Sequence, residues 1–268
     1  MREMQAAGHE ILNHSYTHPN LTETAADLNH EFKDSTEILE SRLPGTDITF
    51  FIFPYDAWDQ DGDLFSELQK TGYLGARGGT RGGINLADID IDNPLTTFEV
   101  GFDCYNENRV VGGSCSEYKQ GDILKLYLDD AIKEGGWAVR ELHGIGDESW
   151  GNIPILDYES HLDDVVKRVA ANEVWMDTPT NITRYRATRA YCGSAIANDG
   201  VIRFDSSLAQ SDRCRKFAVP VSILITTTEA PSIIATQNGT SVPVTAIGEN
   251  RYILDANPTS GAVLIVHP

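Results

Sequence analysis

Three histidines fall within ten positions near the start of the chain, in GHEILNHSYTHPNL, residues 8–21. Neutral imidazoles are common ligands of divalent metals, so the spacing decides what this stretch could do. His9-Glu10 followed by His14 is close to the helical pattern H-E-x-x-H, but the interval is five residues rather than four. Five residues turn a helix by about 140°, which keeps two imidazoles from sharing one ion. His14 and His18 are the better pair. Gly8 stops the opening helix, EIL reads as a short apolar strand, and Pro19 biases His18 away from helical backbone. His14 is thereby expected at a strand end, where parallel α/β folds place their active sites. With a third, acidic ligand, His14 and His18 could hold a zinc-like ion. The competing reading is a pair of loop histidines satisfied by local hydrogen bonds.

The elements that would position them alternate along residues 1–190. LTETAADLNHEFKDSTEILESRL (21–43) sets Leu28, Phe32, Ile38 and Leu39 near helical spacing, with Thr22 or Thr24 as cap. ITFFIFPY (48–55) reads as a buried strand. A helix over DGDLFSELQKTGY, a strand at YLGAR (73–77) and a helix over GDILKLYLDDAIKEGG follow. The pattern continues with a strand over WAVRELHGI (137–145), a helix over 159–173 and the strand VWMDT. Such alternation implies a parallel sheet or barrel. After about 190 the pattern changes to short β-rich runs without helix, including the hairpin signal Asn238-Gly239. Residues 191–268 are therefore expected to form a small β-sandwich.

The chain has 268 residues and a formal charge of −19. Phosphates would be repelled, which argues against nucleic-acid or anionic-membrane partners. No apolar run approaches the roughly 20 residues of a membrane helix, and no signal peptide is visible within the chain. Cys104 with Cys115 and Cys192 with Cys214 is the simplest of three pairings for the four cysteines, and it implies an oxidising, extracellular or periplasmic location. Four unpaired thiols are the alternative.

AAGHEILNHSYTHPNL resembles the metal-binding motif of the NodB-type polysaccharide deacetylases, carbohydrate esterase family 4, whose hallmark is H-S/T-x-x-H preceded by G-H-E-I. FPYDAW (53–58) resembles the family's R-x-P-Y motif, and ELHGI (141–145) its late L-H-x-I motif, in the family's order. VWMDTPTNITRY (174–185) is similar to its last strand and following helix. The resemblance spans roughly residues 1–190. It implies an α/β fold, a distorted (β/α) barrel of NodB type that is N-terminally incomplete, followed by the small all-β sandwich-like domain.

The resemblance also implies chemistry. His14 and His18 would be the histidine ligands of Zn2+ or another divalent metal, which polarises an acetyl carbonyl and activates water. The N–H of Tyr55 would help hold the oxyanion. His143 would protonate the leaving group, and Leu142 would line the pocket for the acetate methyl. Ile52 stands where the family has an arginine, and Arg77, ending the next strand, is the candidate replacement. The motif T-F-D-D-G, source of the base and third ligand, does not occur in the sequence. The expected substrate is an acetylated polysaccharide or oligosaccharide. Exposed Tyr16, Trp58 and Trp150 are candidates to stack on sugar rings. The missing part could come from a partner chain in an oligomer. The alternative function is a carbohydrate-binding module that has lost its chemistry.

Overall fold

The computed structural model describes residues 1–23, 25–57, 63–78, 124–125, 128–129, 131–133, 135–139, 142, 144–149, 152–228 and 232–266. His143, Trp58, Trp150, Cys104 and Cys115 lie outside these. The chain divides into one compact unit within residues 1–178 and a second whose main part is Pro179–Pro268.

In the first unit, helix α1 (Arg2–Ala6) ends as expected before Gly8, whose φ of 90° only glycine adopts at little cost. The chain then runs to Asn13, which bridges Phe51 in parallel. Strand β1 (Phe50–Ile52) pairs in parallel with β2 (Gly75–Arg77), Ile52 opposite Arg77. Three parallel segments thus lie side by side in the order Asn13, β1, β2. Phe51 and Phe53 point to one face of β1 and pack with Phe32, Leu68 and Tyr73. Phe50 is buried as well, so both faces of this short strand are covered, as parallel sheets require. Phe51 meets Phe32 edge-on at 4.8 Å and Tyr73 at 5.6 Å between ring centroids. Such contacts add to area burial.

The helix expected over 21–43 begins later. Residues 29–34 form a π-turn (Asn29–Asp34) that runs into α2 (Ser35–Arg42), and no side chain caps its start. The extra residue of a π-turn shifts the helix register. Phe32 turns inward as its spacing expects, with Leu28 and Leu39 packed against the same core, whereas Ser35 is also buried and Ile38 is left exposed, contrary to the sequence pattern. Helix α3 (Asp63–Thr71) buries Leu64 and Leu68, four residues apart on one face. Within the helix expected over 121–136, residues 124–125, 128–129 and 131–133 are helical and Gly135 lies in a turn. Among the described residues, two expected strands are not seen. Trp137 and Ile145 hold single bridge positions, Ile145 to Ile153, and Gly146 at φ 65° takes the chain out of extended backbone. VWMDT has no ladder among the described residues, and Trp175 and Met176 are exposed. Helix α4 spans Ile155–Ala170, four residues earlier than its sequence start at 159. The described residues form no closed barrel.

The second unit opens with helix α5 (Pro179–Tyr191), then β3 (Ala195–Asn198) and β4 (Val201–Phe204). Two short helices follow, α6 (Ser206–Ala209) and α7 (Asp212–Phe217), where the sequence reading expected none. Asp205 and Ser211 cap them with their side chains. The remaining strands are β5 (Val221–Thr226), β6 (Ile234–Gln237), β7 (Thr240–Val242), β8 (Val244–Gly248), β9 (Arg251–Ala256) and β10 (Val263–Val266). They form two antiparallel sheets, β3-β4-β10-β6-β7 and β5-β9-β8. Ile202, Ala235 and Val263 of one sheet and Leu254 and Ala256 of the other share one core. Asn238 (φ 50°) and Gly239 (φ 75°) make the expected hairpin turn.

Helix α5 belongs here because α7 holds it. Tyr191 and Phe217 rings lie 5.5 Å apart, the Thr188 hydroxyl donates to the Phe217 carbonyl, and Cys192 is disulfide-bonded to Cys214. The bridge closes a loop of separation 22, which stabilises by about 3 kcal/mol in the chain-entropy picture. Cys192→Ala with Cys214→Ala is therefore expected to lower second-unit stability by roughly that amount in denaturant unfolding of the full chain; an unchanged midpoint contradicts it. In the first unit, Asn13 is fully buried and its amide nitrogen donates among Phe32 O, Ser35 Oγ, Thr36 Oγ1 and Tyr73 OH. Asn13→Ala removes this donor from a buried polar cluster and is expected to cost about 1–3 kcal/mol, and a change within about 0.5 kcal/mol of zero contradicts the role given to the amide.

Candidate metal centre

The backbone ladder sets the site. The Asn13 carbonyl accepts from Ile52 N–H at 2.8 Å, so residue 14 leaves the sheet beside the carboxyl end of β1. The Phe53 N–H donates to the Arg77 carbonyl at 2.8 Å, which ties the end of β1 to the end of β2. His14, the Pro54-Tyr55 turn and Arg77 therefore all follow or close parallel strands at their carboxyl ends, the usual place for a ligand in such sheets.

His14 Nδ1 lies 2.9 Å from the Ile52 carbonyl oxygen. A carbonyl only accepts, so Nδ1 carries the proton and a neutral His14 presents a lone pair on Nε2. The same backbone support is characteristic of histidines that ligate metals. His14 Nε2 and His18 Nε2 are 3.1 Å apart, with the rings nearly perpendicular at 81°. Two nitrogens each about 2.0–2.1 Å from one tetrahedral ion would be separated by a similar distance. Both histidines are exposed to solvent. The donor chemistry of the pair fits a divalent ion, and the described residues contain no cluster of three or more His, Cys, Asp or Glu that would complete its shell.

The turn joining the two histidines is strained. Ser15 has φ 68° and His18 φ 60°, each outside the range that side chains favour. Such residues cost on the order of 1–2 kcal/mol apiece. The His18 N–H donates to Ser15 Oγ at 2.9 Å, closing the turn from within. Glu31 closes it from outside. Its carboxylate accepts the N–H of Tyr16 at 2.8 Å, the N–H of Thr17 at 2.9 Å and the Thr17 hydroxyl at 2.6 Å. Hydrogen bonds to a charged acceptor contribute about 1.5–3 kcal/mol each, enough to outweigh the turn's strain. Burial works against the charged carboxylate, yet the bonds from Thr17 and Tyr16 prevail and the carboxyl lies below the usual glutamate value. Sequence reasoning missed Glu31. The available signal was an acidic residue three after Leu28 and next to Phe32, on the inward stripe of a helix.

Tyr55, in the turn Pro54–Asp56, also has φ 60°, and its exposed ring lies 4.8 Å from that of His18, edge to face. The fold thus brings His14, His18 and Tyr55 together as a group. Arg77 ends β2 as expected and is buried. Leu142 is partly buried. Tyr16 is exposed, and its ring packs on His30 at 4.1 Å between centroids.

His30 Nδ1 bonds to Asp34 at 2.9 Å, and chiefly this bond holds the imidazole above the ordinary histidine value of 6.5. A raised folded-state value means that the pair stabilises fully below 6.5 and loses its effect as pH rises through the folded value. NMR titration is expected to show His30 deprotonating above 6.5 and Asp34→Asn moving it down. A midpoint that Asp34→Asn leaves in place contradicts the assignment.

Comparison with known proteins bears on this segment. Residues 1–75 match the family model described as polysaccharide deacetylase. The crystal structure of a candidate polysaccharide deacetylase, BA0330 from Bacillus anthracis, is 24% identical over 30% of this chain, with a TM-score of 0.27. The match covers 24% of that protein's length. No curated protein matches the chain significantly. The residues similar to the polysaccharide deacetylase family model, 1–75, carry both histidines and the Pro54-Tyr55 turn.

Proposed function

We propose that the chain acts in metal-dependent removal of N- or O-acetyl groups from a polysaccharide or oligosaccharide, with His14 and His18 holding a divalent ion, zinc first. The single observation that carries this reading is the 3.1 Å approach of the two Nε2 atoms at the carboxyl end of a parallel ladder. When bound, such an ion supplies Lewis acidity and a water of lowered pKa.

The chain's own residues take the remaining tasks. The Ile52 carbonyl keeps the His14 proton on Nδ1, so Nε2 stays a donor of electrons. The Tyr55 N–H, in its left-handed turn, is assigned to the developing oxyanion of the acetyl group. His143 is assigned the proton that goes to the departing amine or sugar hydroxyl, and Leu142 the wall beside the acetate methyl. Arg77 is assigned the orienting role of the family's arginine, on the strength of its place beside Ile52. Tyr16 and Tyr55 offer exposed rings to sugar faces. The third ligand and the base come from outside the described residues, within a NodB-type barrel that this segment helps to build. The disulfide fits an extracellular or periplasmic setting.

A second reading, a carbohydrate-binding module without chemistry, is favoured by one observation, the lack of a third acidic ligand among the described residues. Zinc titration coupled to acetate release from acetylated xylan and chitooligosaccharides separates the two. The deacetylase reading predicts zinc-dependent acetate release, with zinc binding weakened at least tenfold in His14→Ala and in His18→Ala. A chain that binds these sugars but neither takes up zinc nor frees acetate sinks it and leaves the binding module.

A further inference from the structure

Glu31 has no place in the chemistry above, yet it is a carboxylate that the fold keeps almost out of water, at 4% exposure. It gains that position from the π-turn Asn29–Asp34, which sets Glu31 and Phe32 together on the inward side of the helix. Its carboxylate accepts three hydrogen bonds from Tyr16 and Thr17, the two residues before His18. The turn they belong to carries left-handed backbone at Ser15 and at His18 itself. His14 has separate support through the Ile52 carbonyl. Among the described residues His18 has no comparable brace from the sheet; its ring lies beside that of Tyr55 and is carried by the turn.

We propose that Glu31 is a positioning residue for the second metal ligand: by clamping Tyr16 and Thr17 it holds His18 so that its Nε2 converges with that of His14. This rests on the metal reading of the histidine pair and deepens it. Without the clamp, the turn can relax its left-handed residues, and His18 swings away while His14 stays in place. Groups that orient metal ligands typically change metal affinity by 10–100-fold.

The variants are Glu31→Ala, which removes all three acceptors, and Glu31→Gln. The amide of glutamine can still accept both N–H groups with its oxygen and donate to the Thr17 hydroxyl with its nitrogen. The full chain is titrated with zinc alone in competition with a chromophoric chelator, and NMR follows the ring-to-ring NOE between His14 and His18. The expected result is a 10–100-fold loss of zinc affinity in Glu31→Ala with loss of the NOE, and recovery to within a few-fold of the wild type in Glu31→Gln. Unchanged zinc affinity with a retained NOE in Glu31→Ala overturns the proposal. Should Glu31→Ala fail to fold, Thr17→Val, which deletes only the hydroxyl bond, is expected to weaken zinc a few-fold and to reduce the NOE; no change in either overturns it. A wild-type chain that binds no zinc fails the metal reading, and the NOE comparison then still tests Glu31 by itself.

Discussion

One backbone rung organises the first unit: the hydrogen bond from the Ile52 N–H to the Asn13 carbonyl. It places residue 13 in the parallel ladder beside β1, and so decides where the next residue leaves the sheet. Because the rung ends at Asn13, the His14 imidazole lies where its Nδ1 can reach the carbonyl of Ile52, the residue whose N–H makes the rung. The buried Asn13 side chain locks the rung by bonding into α2 and Tyr73. Sequence order alone then carries the chain from a fixed strand end into a turn of four residues and back to a second imidazole.

That turn has to be held against its own conformational preference. Two left-handed residues flank Tyr16 and Thr17, and the free energy that offsets them comes from one buried carboxylate. Removing a carboxylate from water is itself costly unless its oxygens are satisfied. Three donors satisfy Glu31, which is why it can stay ionised beneath an exposed site. Core packing of Phe32 against Phe51 fixes the helix, the helix fixes Glu31, and Glu31 fixes the turn. Stability of the aromatic core and geometry of the histidine pair are thus one problem.

The strand positions at 50–52 and 75–77 were legible because each is a local signal, whereas Pro54 and Tyr55, read as the end of the first strand, form a turn instead. The hairpin at Asn238-Gly239 and the Cys192–Cys214 bridge were legible for the same reason. The π-turn at 29–34 was not, since an inserted residue leaves no mark on a 3.6-residue pattern until packing selects it. The two helices between 206 and 217 were hidden because their caps, Asp205 and Ser211, read equally well as turn residues between strands. VWMDT reads as a strand by composition, but a strand exists only through a neighbour, and pairing is a long-range property.

The central claim is that the two Nε2 atoms meet at one ion. X-ray absorption at the zinc edge of the zinc-loaded chain tests it most directly, because it counts imidazoles around the metal without reference to activity. Two imidazole shells with nitrogen at about 2.0–2.1 Å are expected, falling to one in His18→Ala. A single imidazole in the wild type, or a spectrum that His18→Ala leaves unaltered, would contradict the account.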